Sequence, residues 1–407
     1  MVLTSYLNGK LNAKNTFSVE LENRFDFISL HGYQLKWQVK NLQKILDAGS
    51  FWLQIPAREK GVINLNTQLP QMVDFNDLTL YLEVLTPNGK RMYERNLPIE
   101  LGGSNEDYMS LVKNAASTKK SKTKVTKTNA SLTYGEYSYN ISHNGVFSVV
   151  NEKRKIIETP LLLRIGRPET IMLLTQGLKN KYYWNPYLLE PIVEEFAAIK
   201  KDDGVYVTLQ CRWNRNGQAE QYISGEVTVF IAANGKVQFD YNLKASPNAN
   251  GNFLECGLTL DLGKSFNQFD WLGDGPYSST PGKTAYNERA IWQLHRDDIR
   301  FNGNRMNVDV GVVTNGAQHI AFLSGNGNMG VENVNGNIHI SQNAIVAGYG
   351  TKFTSPIGLL PIADVAIQGT LILFAENAHE DASILKSIFK KFPTVVPEKP
   401  YLRTYGW

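Results

Sequence analysis

Along most of this chain the apolar side chains fall at every second position. Around Asn234-Gly235, Val227, Val229 and Ile231 precede the turn, and Val237, Phe239 and Tyr241 follow it. Residues two apart on a strand share a face, so a single register places all six on buried sheet faces. Asn-Gly supplies the positive backbone angles that a tight hairpin turn needs. Leu80, Leu82 and Val84 before Asn88-Gly89, and Tyr137, Tyr139 and Ile141 before Asn144-Gly145, read the same way; Asn216-Gly217 marks a further turn. Many short alternating strands divided by turn signals predict β-sandwiches and argue against an α/β architecture. Helical spacing is clearest near the C-terminus, where Ile384, Leu385, Ile388, Phe389 and Phe392 line one face and Lys386, Lys390 and Lys391 the other. That pattern predicts one short helix over residues 381–392. The tail beyond it, with Pro393, Pro397 and Pro400, reads as extended chain on the surface.

One segment breaks the alternation. Between Lys113 and Lys127 there are six lysines, no acids, and otherwise mostly Ala, Ser and Thr. Such a composition predicts a flexible linker over residues 105–131, dividing a first domain at residues 1–104 from a second at residues 132–407. A polyanion site is disfavoured there because no aromatic residues interleave the lysines.

Composition narrows the function classes. The 407 residues are 42% hydrophobic and 20% charged, with 19 Tyr, 18 Phe and 7 Trp, which is a globular chain with ample material for cores. A net charge of +4 from 42 basic and 38 acidic side chains is too balanced for a nucleic-acid footprint. The two cysteines, Cys211 and Cys256, cannot build a disulfide framework or a zinc site unaided. The first residues lack the apolar core of a signal peptide, and the longest apolar stretch, from Ile357 to Phe374, is broken by Pro361, Asp364 and Gln368. No membrane or nucleic-acid partner is expected, and no cofactor. If Met1 is the native start, the expected location is the cytoplasm.

Most chemical motifs dissolve on inspection. Gly325, Gly327 and Gly330 have the spacing of a dinucleotide fingerprint, but Val331 to Ser341 reads as strand and turn where that motif needs a helix. Carboxylate pairs at Glu194-Glu195, Asp202-Asp203 and Asp297-Asp298 are sequence neighbours, which on a strand point to opposite faces. The six histidines show no ligand spacing, so no metal is expected. Cys211 alternates with Val207 and Leu209, as a buried thiol does.

The densest unusual segment runs from Phe266 to Trp292. It sets Trp271, Tyr277, Tyr286 and Trp292 among Gly, Pro and Ser, with Asp270, Asp274, Lys283, Glu288 and Arg289 interspersed. Flat aromatic faces suit the C–H side of a pyranose, and carboxylates and guanidinium groups suit its hydroxyls. Trp271, Asp274, Tyr277, Arg289 and Trp292 are therefore the candidate carbohydrate-binding residues. The structural alternative is that the aromatics plug one end of a sandwich and the charges tie the loop down.

The same segment carries a resemblance. WLGDGPYSSTPGK with AYNERAIW downstream resembles the tryptophan-leucine-glycine signature in the C-terminal β-sandwich, or small chain, of family 2 β-galactosidases. Residues 225–262 resemble the strands that lead into it, and DDIRFNGNR its continuation. Upstream, LENRFDFISLHGYQLKWQV resembles the immunoglobulin-like domain that follows the catalytic barrel in those enzymes. The resemblance implies an all-β fold: an immunoglobulin-like β-sandwich, then a large antiparallel β-supersandwich of galactose mutarotase type, with the short C-terminal helix added.

Hydrolysis in that family uses two carboxyl groups about 5 to 5.5 Å apart. Both sit on a (β/α)8 barrel of roughly 250 residues, and no part of this sequence alternates strands with long helices. The resemblance also places Ile338 where well-known members contribute a tryptophan to the active-site edge. It thus implies a non-catalytic C-terminal part or small subunit of a β-galactosidase, with no catalytic residues of its own, completing the sugar pocket of a barrel-bearing partner that acts on β-galactoside-type carbohydrate. Two alternatives remain: a stand-alone carbohydrate-binding module, and a mutarotase-like isomerase using His295 with Glu255 or Glu288.

Overall fold

A computed structural model gives the structure of the chain and describes residues 3–8, 16–41, 44–67, 78–99, 120–152, 154–167, 184, 187–283, 287–348, 360–377 and 394–395. The chain forms two compact units: Met1–Asp107 with Glu288–Ala290, and Tyr108–Asn287 with Ile291–Trp407. Strands dominate the described residues of both, as the alternation requires.

The first unit contains β1 (Leu3–Asn8), β2 (Thr16–Asn23), β3 (Gln34–Asn41), β4 (Lys44–Trp52), β5 (Lys60–Asn66), β6 (Leu78–Leu85) and β7 (Arg91–Pro98). They form a sheet of order β1-β2-β5 and another of order β4-β3-β6-β7. Val19, Leu21 and Leu65 from the first sheet share one core with Leu35, Trp37, Val39, Leu80, Leu82 and Val84 from the second. Three strands packed on four is the division of an immunoglobulin-like sandwich. Each such fully buried aliphatic side chain stabilises the unit by about 1.5–3 kcal/mol.

Asn23 closes this sandwich at one end. Its side-chain amide is buried and donates to the carbonyls of Ile28 (2.9 Å), Ile55 (3.1 Å) and Pro56 (2.8 Å), while its own oxygen accepts from the Phe25 N–H (3.1 Å). One side chain thereby satisfies backbone groups in two loops that have no strand partner. 

The second unit opens with β8 (Ser121–Val125), β9 (Asn129–Tyr134), β10 (Tyr137–Ser142), β11 (Val146–Asn151) and β12 (Arg154–Pro160), a five-stranded sheet in sequence order. It continues through β13 (Leu162–Arg164), β14 (Leu188–Leu189), β15 (Ile192–Lys201), β16 (Gly204–Arg215), β17 (Gln218–Ala232), β18 (Lys236–Ala245), β19 (Asn252–Phe253) and β20 (Glu255–Asp261). Then come β21 (Gln268–Gly275), β22 (Glu288–His295), β23 (Gly303–Arg305), β24 (Val310–Thr314), β25 (Gln318–Ser324), β26 (Met329–Val334) and β27 (Asn337–Val346). The last are β28 (Leu360–Pro361), β29 (Ile367–Asn377) and β30 (Thr394–Val395).

Ten of these make one sheet, β15-β16-β17-β18-β29-β25-β24-β21-β22-β30, and six make another, β14-β13-β20-β27-β26-β23. The large sheet is covered on one face by the five- and six-stranded sheets. Phe147 of β11 meets Phe239 of β18 edge-on at 5.1 Å, the Trp213 indole N–H donates to the Leu161 carbonyl at 3.0 Å, and the Tyr241 hydroxyl donates to the Gln342 carbonyl at 3.1 Å. The register is the one the alternation predicts: Val227 pairs with Tyr241, Val229 with Phe239 and Ile231 with Val237, and all six are buried. Gly89, Gly145, Gly217 and Gly235 all have positive φ, so each Asn-Gly is a hairpin turn.

The lysine-rich run is not linker throughout. Residues 105–119 lie outside the described residues, but Ser121–Val125 is β8, paired antiparallel with β9. Lys122 and Lys124 point outward from this edge strand and alternate with half-buried Ser121, Thr123 and Val125. Charged side chains on an edge strand discourage pairing with another chain, which is why such a strand looks like linker in composition. The predicted helix over residues 381–392 lies outside the described residues, as does the tail apart from β30, which runs parallel to Ile291 and Trp292. No helix among the described residues is long and apolar enough to cross a membrane.

Asn23→Ala is expected to remove the donor to the Ile28 carbonyl and the second donor to the Ile55 and Pro56 carbonyls, which keep the Leu30 and Glu59 N–H groups, and to cost the first unit about 1–3 kcal/mol, read as a lower denaturant midpoint. An unchanged midpoint would show that water satisfies these carbonyls equally well.

Candidate functional site

The Trp271 to Trp292 segment is built inward. Trp271 on β21 is fully buried, with Phe269 stacked on it at 5.2 Å and the Arg305 guanidinium over its ring at 5.1 Å. Its indole N–H donates to the Asp274 carbonyl at 3.0 Å. Trp292 is 6% exposed. Gly275 lies between the two indoles: a Cβ there would stand 2.5 Å from Trp292 and 2.6 Å from Trp271. The structure therefore gathers Trp271, Asp274 and Trp292 around one glycine, and neither indole offers an open ring face.

The other candidates are placed differently. The Asp274 carboxylate accepts from the Asn307 side chain at 2.7 Å, and Tyr277 is 41% exposed with its N–H donated to the Asn287 side chain. Arg289 is half-buried in the short stretch that clusters with the first unit, so it is not grouped with the others. The continuation DDIRFNGNR laces the loop down. Arg300 makes a forked pair with Asp298 (2.8 and 2.6 Å), Ser279 and Asn304 exchange hydrogen bonds, and Asn304 accepts from Asn343. Arg300 holds the Asp298 carboxyl below the usual range despite partial burial. This is the arrangement of the structural alternative, aromatics as a plug and charges as ties.

A second polar group is wholly interior. Arg164 pairs with Glu332 at 2.7 Å and with Glu255 at 3.4 Å, Arg167 pairs with Glu255 at 3.0 Å, and Tyr187 donates to Glu332 at 3.3 Å. Burial pushes the Glu255 carboxyl up, with the Arg167 and Arg164 guanidinium groups opposing it. Two cations and two carboxylates balance, but all four are nearly inaccessible, so the group ties β13 to β20 and β26 and meets no substrate. His295 lies at the surface beside Asp297 (3.3 Å), while Glu255 belongs to this interior group. Cys211 and Cys256 are buried, and burial pushes the Cys211 thiol up to about 12, which leaves it inert as a nucleophile. Among the described residues no group of three or more His, Cys, Asp and Glu is placed to hold a metal ion.

The feature that sequence reasoning missed lies on the face of the ten-stranded sheet that no other sheet among the described residues covers. A hollow of about 530 Å³ is lined by Glu226 and Thr228 of β17, Asp240, Tyr241 and Asn242 of β18, and Gln368, Gly369 and Thr370 of β29. Gly325, Asn326 and Gln342 complete it. Its floor is two rungs of paired residues, Thr228, Asp240 and Thr370 in one and Glu226, Asn242 and Gln368 in the next, which Thr208 and Gln210 of β16 continue beyond the hollow. The rungs are two residues apart on every strand, so all eight side chains rise from one face. The first rung ends beside Gly325, whose N–H donates to the Thr370 carbonyl and which has no side chain to fill the space. The only signal in the sequence was the polar half of the alternation, Glu-x-Thr, Asp-x-Asn and Gln-x-Thr, which marks any solvated face.

Residues 19–101 match the family model described as β-galactosidase, domain 4. No curated protein matches the sequence. Among solved structures, the chain is similar to a galactose 1-epimerase from Lactobacillus acidophilus NCFM at 8% identity, covering 64% of this chain and 100% of that one, with a TM-score of 0.35. It is similar to an α-mannosidase from Enterococcus faecalis V583 at 9% identity and a TM-score of 0.38, covering 93% of this chain and 43% of that one. This chain thus spans less than half the length of that mannosidase.

Two substitutions test these placements. Gly275→Ala is expected to cost about 1–3 kcal/mol by forcing the two indoles apart, seen as a lower thermal midpoint; an unchanged midpoint would show the plug is loose. Burial pushes the Asp270 carboxyl up to about 6, with hydrogen bonds from Gln268 and Gln293 opposing it. The folded chain then holds the Asp270 proton more tightly than the unfolded chain, and the stability this gives is lost as pH rises from about 4 through about 6. Asp270→Asn is expected to remove that loss, so its stability relative to wild type rises across the window by up to about 3 kcal/mol. Parallel pH profiles for the two proteins would contradict the placement.

Proposed function

We propose that this chain is a non-catalytic β-module of a β-galactosidase-type, family 2 glycoside hydrolase, acting beside a (β/α)8-barrel chain or domain and completing its sugar pocket. The observation that carries the reading is the match of residues 19–101 to β-galactosidase domain 4, one domain of a multidomain enzyme. The placement of acids supports it. Glu255 and Glu332 are locked in interior ion pairs, and Glu226 and Asp240 lie on adjacent rungs of one open sheet face, where a retaining pair would flank the bond between them. The first unit also exposes Phe27 (92%) and Trp52 (68%), as a surface for a partner chain would.

The isomerase alternative has less support, because His295 and Glu255 are placed one at the surface and one in the interior. Absence of accelerated mutarotation of fresh galactose, followed by polarimetry, would agree.

Hydrolysis of a chromogenic β-galactoside provides the test. The isolated chain is expected to give no turnover. A β-galactosidase barrel lacking its own C-terminal sandwiches is expected to gain activity when this chain is added, and to gain less from a Phe27→Asp, Trp52→Asp double variant. Turnover by the isolated chain, or no gain on mixing, would overturn the reading.

A further inference from the structure

We propose that the hollow on the β17, β18 and β29 face of the ten-stranded sheet is a binding site for an uncharged di- or oligosaccharide. This goes beyond the accessory role and does not rest on it, since the site lies within the second unit, on β17, β18 and β29 with Gly325, Asn326 and Gln342.

Three observations on the hollow point to that ligand. The volume, about 530 Å³, is within the range of small-ligand sites. The described lining residues include two carboxylates, Glu226 and Asp240, and among them no lysine, arginine or histidine, which disfavours an anionic sugar or a phosphate. The remaining floor groups are amides and hydroxyls, Asn242, Gln368, Thr228 and Thr370, which can each donate and accept. Such a mixture matches the many hydroxyls of a neutral sugar, each of which is itself donor and acceptor.

The floor is also held in place before any ligand arrives. Thr370 donates to Asp240 at 2.6 Å, Gln238 donates to its other oxygen at 2.6 Å, and Gln368 donates to Asn242 at 3.2 Å. Gln210 and Thr228 donate to Glu226 at 3.3 and 3.4 Å. The wall is equally fixed, with Asn326 accepting from Gln342 and Ser324 and donating to the Asn343 carbonyl. Each carboxylate oxygen keeps a second lone pair for a ligand hydroxyl.

An apolar flank adjoins the polar floor. Phe230 is two residues beyond Thr228 on β17 and so rises from the same face about 6.6 Å further along the strand. It is stacked with Tyr206 at 4.4 Å. A second sugar unit leaving the hollow in that direction meets Phe230 with its C–H face, the contact that a sugar makes with an aromatic ring. This sets the ligand as larger than one ring.

Isotope-edited NMR and calorimetry on the full chain, with lactose, maltose and cellobiose as probes and glucuronic acid as the anionic control, test the proposal. At least one neutral disaccharide is expected to bind saturably at millimolar concentration, shifting the amides of Glu226, Asp240 and Gln368. Glu226→Ala, at an exposed position, and Asp240→Ala are expected to weaken binding at least about tenfold with the thermal midpoint of the Glu226 variant unchanged. Binding by none of the three disaccharides, equal binding of glucuronic acid, or full binding by both variants would overturn it. These outcomes are independent of whether the chain activates a catalytic barrel.

Discussion

The second unit depends on one constraint: a long strand with apolar residues at alternate positions must bury one face and cannot bury the other. On β17 and β18 the buried rows are Val227, Val229 and Ile231 with Val237, Phe239 and Tyr241. Covering them requires a second layer as wide as the sheet, which is supplied by two smaller sheets. The residues between, Glu226, Thr228, Asp240 and Asn242, are then forced together on the opposite side, in register, by the same hydrogen-bond ladder. The polar surface is thus a geometric consequence of the core. A one-residue slip that destroyed the core would scatter the polar rungs as well.

Interior charge in this fold does a different task from surface charge. Arg164, Arg167, Glu255 and Glu332 cancel one another within a few ångström, and a buried ion group of this kind contributes little net stability over an apolar replacement. What it does supply is direction. Arg164 also donates to Ser341 of β27 at 3.0 Å, so its one guanidinium fixes β13 against three neighbouring strands that apolar packing alone would let slide. The tryptophan signature works in the same manner: Trp271, Arg305 and Gly275 match in shape and hydrogen bonding, and a segment that reads as a ligand loop in composition is consumed by packing.

The hairpins were legible because Asn-Gly and two-residue alternation are local properties, and the one at Asn234-Gly235 was found with the register that the pattern required. Two errors have different physical origins. Lys122 and Lys124 lower the apolar content of β8 below what a strand shows when both faces are sampled together, although only one face of an edge strand must be apolar. Glu226, Asp240 and Gln368 are separated by 142 residues of sequence between first and last, and only the β17-β18-β29 pairing order makes them neighbours. Asn23 falls in the segment that resembled a known domain, yet its three donated bonds to loop carbonyls depend on where residues 28, 55 and 56 return in space. For the hollow and for Asn23 the missing information was a non-local pairing, whereas β8 pairs with β9, its neighbour in the chain.

A sheet face differs from a loop as a place to bind sugar. Loops must be ordered when the ligand arrives, which costs roughly 0.5–1.5 kcal/mol for each mobile side chain immobilised. Beneath the hollow the backbone of β17 and β18 is fixed by ladders on both sides and that of β29 by its ladder with β18, and Asp240 is already held by Gln238 and Thr370. The hydrogen bonds that hold it leave acceptor capacity but do not lower its charge, so a neutral hydroxyl gains a charge-assisted bond without a large ordering cost. A shallow hollow excludes little water, so the proposed contact with a single sugar unit is weak. Affinity then grows by repeating the contact along a chain of sugars, with Phe230 as the next point of contact along the strand.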